Sequence, residues 1–165
     1  MSDYIVRASC CEYTASDDAV YEALVRATDP LTDTWERLAR AKRIGMKINQ
    51  DKPVDRWVRH DGQLQQLVSE KVVRACLRLL RERTSAEIIC SDVSFYAMYQ
   101  GTDPQETSTA LPLLKEFNVE YVDATKPPYR RQEVPGGGQM FKHYMLPESA
   151  LDVDEFISLA KMKNH

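Results

Sequence analysis

Apolar residues along this chain recur at two spacings, one suited to helices and one to buried strands. Ala19, Val20, Ala23, Leu24 and Ala27 fall on one face of a helix opened by Ser16-Asp17-Asp18. Ser16 is placed to cap that helix, and the two aspartates suit the positive end of its dipole. Asp33 followed by Glu36 has the capping-box spacing for a second helix through about Ala41. Leu64, Val68, Val72, Cys76, Leu79 and Leu80 predict the clearest helix, over residues 64–83, with Arg74, Arg78 and Arg81 on its outer face. Asp103-Pro104-Gln105-Glu106 reads as another helix start, and Pro112 as a break or restart.

The strand pattern is shorter and denser. Residues 4–9, 43–48, 86–90, 119–123 and 153–160 each read as a strand, with Ser91-Asp92 following the third. Residues 131–146 read as a hairpin turning at Gly136-Gly137-Gly138. Residues 49–62 form a polar stretch between elements. Strands alternate with helices, which predicts an α/β fold: a mainly parallel sheet with helices on both faces, Rossmann-like and three-layered, plus the hairpin. No repeat, low-complexity tract or linker divides the 165 residues, so a single domain is expected.

Composition narrows the function classes. The chain is 43% apolar and 28% charged, with a net charge of −3, so no basic field would recruit nucleic acid or an anionic membrane. No apolar run approaches the roughly 18 residues of a membrane helix, and the first residues lack a secretory pattern. Cys10, Cys11, Cys76 and Cys90 fit no zinc or iron–sulfur spacing. Cys76 and Cys90 lie in apolar patterns and are expected to be buried free thiols, with a reducing cytoplasm the simplest compartment.

Candidate chemistry follows from the fold class. Open parallel sheets bind ligands outside the carboxyl ends of their strands. At or beyond such ends lie Lys47 and Asn49, Ser91 and Asp92, Asp123, and then Lys161, Lys163 and His165. Three lysines, an amide, a hydroxyl, carboxylates and an imidazole at one rim suit a small carboxylate or phosphate. Lys47, Asn49, Ser91, Lys161 and Lys163 are the expected ligand-binding residues. Asp92 and His165 are candidates for proton transfer or for holding a divalent ion, and the pattern names neither a metal nor a cofactor. Plainer readings exist for each: a solvated lysine, a turn aspartate, a frayed terminus. His60 and His143 read as surface or hairpin residues. The triple glycine with Lys142 lacks the order of a phosphate loop.

Four stretches resemble the family known as domain of unknown function 362. They are "RIGMKIN", "VSEKVVRACLRLLRE" followed by "AEIICSD", and "HYMLPESALDVDEFISLAKMKNH". The resemblance implies the same site positions: Lys47, Asn49, Asp92, Lys161, Lys163 and His165. It also shows departures. Ser69-Glu70 stands where a Ser or Thr followed by Pro is usual, and Ala160 where a proline usually precedes the paired lysines. The family domain normally continues past the histidine, which implies a member shortened at its carboxyl end. Two functional readings follow. One is an enzyme domain acting on a small anionic metabolite. The other is a non-catalytic binding or assembly module that self-associates or needs a partner chain at its open edge. Longer relatives carry a cysteine-rich iron–sulfur segment, so a redox partnership with an iron–sulfur protein is a third implication.

Overall fold

The computed structural model describes residues 5–50, 52–93, 100–101, 103 and 107–162. Its centre is a four-stranded, wholly parallel sheet. The strands are β1 (Arg43–Ile48), β4 (Glu87–Asp92), β5 (Glu120–Asp123) and β8 (Glu155–Leu159), in the spatial order β5-β4-β1-β8. Two antiparallel pairs accompany it: β2 (Arg59–His60) with β3 (Gln63–Leu64), and β6 (Tyr129–Glu133) with β7 (His143–Pro147). The helices are α1 (Asp17–Thr28), α2 (Thr32–Arg40), α3 (Glu70–Arg83), α4 (Leu111–Glu116) and the single turn α5 (Glu148–Leu151).

Strand alternation divides the sheet into two faces. Ile44, Met46 and Ile48 of β1, with Ile88 and Cys90 of β4, are almost fully buried against Val73, Cys76, Leu77 and Leu80 of α3 and Leu113 and Leu114 of α4. This is the core, and its apolar area removed from water is the main term holding the fold. On the opposite face, Arg43, Ile89, Glu120 and Val122 border a hollow closed by α5, Lys126 and Pro127-Pro128. Helices therefore lie on both faces, long ones on one and a single turn on the other. The crossover rule accounts for this division. The chain moves outward from β1 through β4 to β5, then returns from β5 to β8 on the far side of β1. Right-handed crossovers in opposite directions must pass on opposite faces.

The helix expected from Ser16 is observed, with the Ser16 hydroxyl accepting from Ala19 N at 3.2 Å. Other boundaries differ from the sequence reading, each for an identifiable reason. Residues 5–9 form no strand: Ile5 and Val6 are exposed, and it is Tyr13, further along, that meets β2–β3 by donating to the His60 carbonyl at 2.5 Å. The segment pairs with no strand of the sheet, and β propensity alone does not make a strand. Asp33 does not cap α2. The cap position is Leu31, and Asp33 sits inside the first turn.

The long helix begins at Glu70, six residues later than Leu64. Leu64 pairs with Arg59 in β3, and Val68 is bound at both backbone groups to the end of β1. Arg81 does not face outward. Its guanidinium donates to the carbonyls of Ala86, Phe117 and Asn118 at 2.9, 3.0 and 2.8 Å, and so satisfies the exposed end of α4. β4 extends two residues further than expected, taking in Ser91 and Asp92. Pro112 lies at the start of α4. The helix start proposed at Pro104-Gln105-Glu106 lies outside the described residues. The β2–β3 turn is Asp61-Gly62, both at positive φ, which suits a two-residue hairpin.

Candidate functional site

The order β5-β4-β1-β8 contains one switch point, between β1 and β8, where the outgoing and returning halves of the chain separate. In doubly wound sheets the crevice at the carboxyl side of that point is the usual ligand position. Here it is flanked by Lys47, Asn49 and Gln50 from the end of β1, and by Lys161 beyond β8.

The β1 side is built around Asp92, which is 4% exposed. Its Oδ2 accepts the backbone N–H of Gln50 at 2.7 Å, and its Oδ1 accepts that of Val93 at 2.9 Å. The Lys47 ammonium lies 3.5 Å from Oδ1. The carboxylate thus fixes the last residues of two neighbouring strands and also holds a lysine at the rim. Such charge-assisted bonds to backbone donors are among the stronger ones in a protein. Lys47 is partly exposed, so its attraction to Asp92 is weakened by water while the ammonium stays within reach of a ligand.

Gln50 was not singled out from the sequence, yet it organises this end of the sheet. It is 2% exposed. Its Nε2 donates to the Val68 carbonyl at 2.8 Å, and its Oε1 accepts from Thr109 N at 3.0 Å and from Thr109 Oγ1 at 2.9 Å. One side chain therefore ties the end of β1 to the approaches of α3 and α4. The nearest sequence signal is the polar trio Thr107-Ser108-Thr109 set against the apolar start of α4, all three buried. Beside Gln50, the Asn49 carbonyl accepts from Val68 N at 3.1 Å. The Asn49 Oδ1 is shielded from solvent without a hydrogen-bond partner among the described residues, which leaves an acceptor in want of a donor.

The other expected site residues are placed as follows. Ser91 lies within β4, directly across from Lys47, and is buried. Lys161 is half-buried and donates to the Leu64 carbonyl at 3.2 Å, which brings β3 against the β8 end of the crevice. Asp123 closes its own turn. Burial raises its pKa, but bonds from the Thr125 hydroxyl and N–H, together with the nearby Lys126 ammonium, more than offset this and leave it below the ordinary range. Lys163 and His165 lie outside the described residues. His60 and His143 are exposed in the two hairpins. Among the described residues, no group of three or more His, Cys, Asp or Glu side chains is placed to hold a metal, and no helix is long and apolar enough to cross a membrane. A hollow of about 680 Å³ opens between α4 and the start of β5, at the opposite end of the sheet from the crevice.

No curated protein and no solved structure matches the chain. One family pattern does, over residues 57–165. The match takes in α3, β4, β5, the long hairpin and β8, and so includes Asp92 and Lys161. It begins after β1, so it is narrower than the resemblance read from the sequence, and Lys47 and Asn49 rest on sheet geometry. Since the match spans more than half of the chain, the protein belongs to the family described as Domain of unknown function (DUF362).

Proposed function

We propose that this protein binds a small carboxylate or phosphate at the switch crevice between β1 and β8. The observation that supports the reading is that Lys47 and Lys161, more than a hundred residues apart in sequence, both stand at the carboxyl end of the paired strands β1 and β8. An ammonium has three donors. Lys161 commits one to the Leu64 carbonyl and Lys47 leans on Asp92, so each retains donors for an anion. Asp92 positions Lys47 and the backbone of Gln50, and the buried Ser91 and the half-buried Asn49 complete the polar lining. Lys163 and His165, outside the described residues, are further candidates in this reading, with the imidazole as the group for proton transfer if the bound anion is turned over. The buried free thiols Cys76 and Cys90 accord with a reducing, cytoplasmic setting.

The test is thermal unfolding with inorganic phosphate and with small mono- and dicarboxylates. A ligand at one hundred times its Kd adds about 2.7 kcal/mol to stability and so raises the Tm measurably. The wild type is expected to be stabilised by one or more of these anions. Lys47→Ala should lose most of that gain while melting close to wild type without ligand. Equal shifts in the two proteins would remove Lys47 from the site, and no shift with any anion would overturn the reading.

The assembly reading has its own support. Met140, Phe141, Tyr144 and Met145 are exposed on the long hairpin, with the Phe141 and Tyr144 rings 5.6 Å apart. An isolated two-stranded hairpin carrying apolar side chains outward suits contact with another surface.

A further inference from the structure

We propose that β8 is a self-pairing edge, through which two copies of this chain join their sheets across a two-fold axis at Ser158. The inference shares Lys161 with the anion reading but rests on the open edge and its charges, not on a bound anion.

Among the described residues, β8 has a neighbour on one side only, so its other side presents unpaired backbone groups. Proteins usually block such an edge with proline, an inward charge, a bulge or brevity. The opposite edge, β5, is blocked in this way: it has four residues, an acid at each end, and Pro127-Pro128 close behind. β8 is one residue longer, has no proline, and is uncharged after its first residue, Glu155. Its centre is Phe-Ile-Ser-Leu-Ala, residues 156–160, without charge or proline, and Phe156 is 48% exposed.

The charges flanking that centre choose the occupant. Asp152, Asp154 and Glu155 precede it, and Lys161 follows it. Antiparallel pairing with an identical strand lays the acidic end of each copy beside the basic end of the other. An axis perpendicular to the sheet also keeps both helical faces on the same side, which requires an even register. With the axis at Ser158, Glu155 stands opposite Lys161 of the second copy, Phe156 opposite its Ala160, and Ile157 opposite its Leu159. Moving the axis to Ile157 would place Glu155 against an apolar Leu159 and Lys161 against Val153. The Ser158 register therefore satisfies the charges and continues the apolar row. Glu155 already takes Arg37 on Oε1 at 3.0 Å and has lone pairs to spare for a second cation. Lys161 likewise has donors beyond the one on Leu64.

The experiment is sedimentation of the full chain, 18.9 kDa, over a range of concentrations. A reversible monomer–dimer equilibrium is expected. Ser158→Asp should shift it to monomer, because two carboxylates would face each other across the axis. Within one chain the new carboxylate lies directly across from Lys47 on the same face, so folding is not opposed. Ser158→Cys, in a Cys10→Ser, Cys11→Ser background, should give a covalent dimer with oxidised glutathione. The two thiols lose their protons and two electrons, and the glutathione disulfide is reduced to two thiols. A cysteine at Phe156 should cross-link poorly. Monomer at every concentration would overturn the proposal, as would a dimer that survives Ser158→Asp and resists cross-linking at residue 158. Wild-type circular dichroism in both variants ensures that either result reports on association.

Discussion

Replacing Gln50 by alanine tests the claim that one buried amide holds the carboxyl end of the sheet together. The change removes three hydrogen bonds: to the Val68 carbonyl, from Thr109 N and from Thr109 Oγ1. The Thr109 hydroxyl can turn toward another acceptor. The Val68 carbonyl and the Thr109 N–H cannot, and each sits beside a side chain that is almost entirely shut from water. A buried group left without its partner costs about 1–3 kcal/mol, so the two together give roughly 3 kcal/mol when some water enters the vacated space. With a urea dependence of about 2 kcal/mol per molar, the unfolding midpoint should fall by about 1.5 M. The control is Gln132→Ala. That residue is exposed on the long hairpin, and among the described residues its side chain bonds only to the neighbouring Glu133 carbonyl, at 3.3 Å, so its effect should stay within about 0.5 kcal/mol. The assay is equilibrium urea unfolding followed by far-UV and near-UV circular dichroism together. If Gln50→Ala moves the midpoint no more than the control does, the amide is not a structural tie and this account of the rim fails.

Gly45→Ala should destabilise by about 1 kcal/mol, the low end for overpacking, because the added Cβ would meet the Phe156 ring at 2.8 Å and that ring is half-exposed and able to yield. Combined with Phe156→Leu the cost should shrink, and additive losses in the double mutant would show that the two sites do not touch. Thiol labelling of the native protein should count two fast cysteines, Cys10 and Cys11, and two that react only on unfolding. Burial pushes Cys76 up to about 11, and burial, with Asp92 nearby, also raises Cys90. Four equally fast thiols would contradict the buried core. Asp154 is held below its ordinary value of 3.8 by hydrogen bonds from the Arg43 and Lys42 backbone N–H groups, at 2.9 and 2.7 Å. A lowered folded pKa means that its contribution is complete above the unfolded value and is lost as pH falls through the folded one. Urea midpoints of Asp154→Asn should therefore fall less steeply than wild type on acidification below about pH 4, and parallel acid limbs would remove Asp154 from the acid response.

Several features were legible from the sequence because their causes are local. Ser16 caps α1 through a hydroxyl three residues from its donor. β1 spans Arg43–Ile48 as its apolar pattern requires, and Cys76 and Cys90 are buried by the periodicity of their own elements. The βαβ order also implies a parallel sheet, which puts Lys47, Asp92 and Lys161 at one end of it. Asp61-Gly62 carried a hairpin signal that the polar reading of residues 49–62 passed over.

What tertiary structure alone decided depends on groups distant in the chain. The early start predicted for α3 failed because Val68 gives both backbone groups to residues 49 and 50, about twenty positions away. Arg81 turned inward because the carbonyls ending α4, more than thirty residues later, needed donors. Residues 5–9 have strand composition but pair with no strand of the sheet. Gln50 is polar in any sequence reading, and only the convergence of β1, α3 and α4 makes it a buried tie. The position of β8 beside β1, which creates the switch crevice and leaves an open edge, comes from a crossover of some thirty residues. The sequence by itself determined which faces are apolar and where strands end, since 3.6- and 2-residue periods are properties of a few neighbouring residues. Strand order, and the partners of each buried polar group, required the folded chain, because a hydrogen bond between distant segments leaves no local period in the sequence.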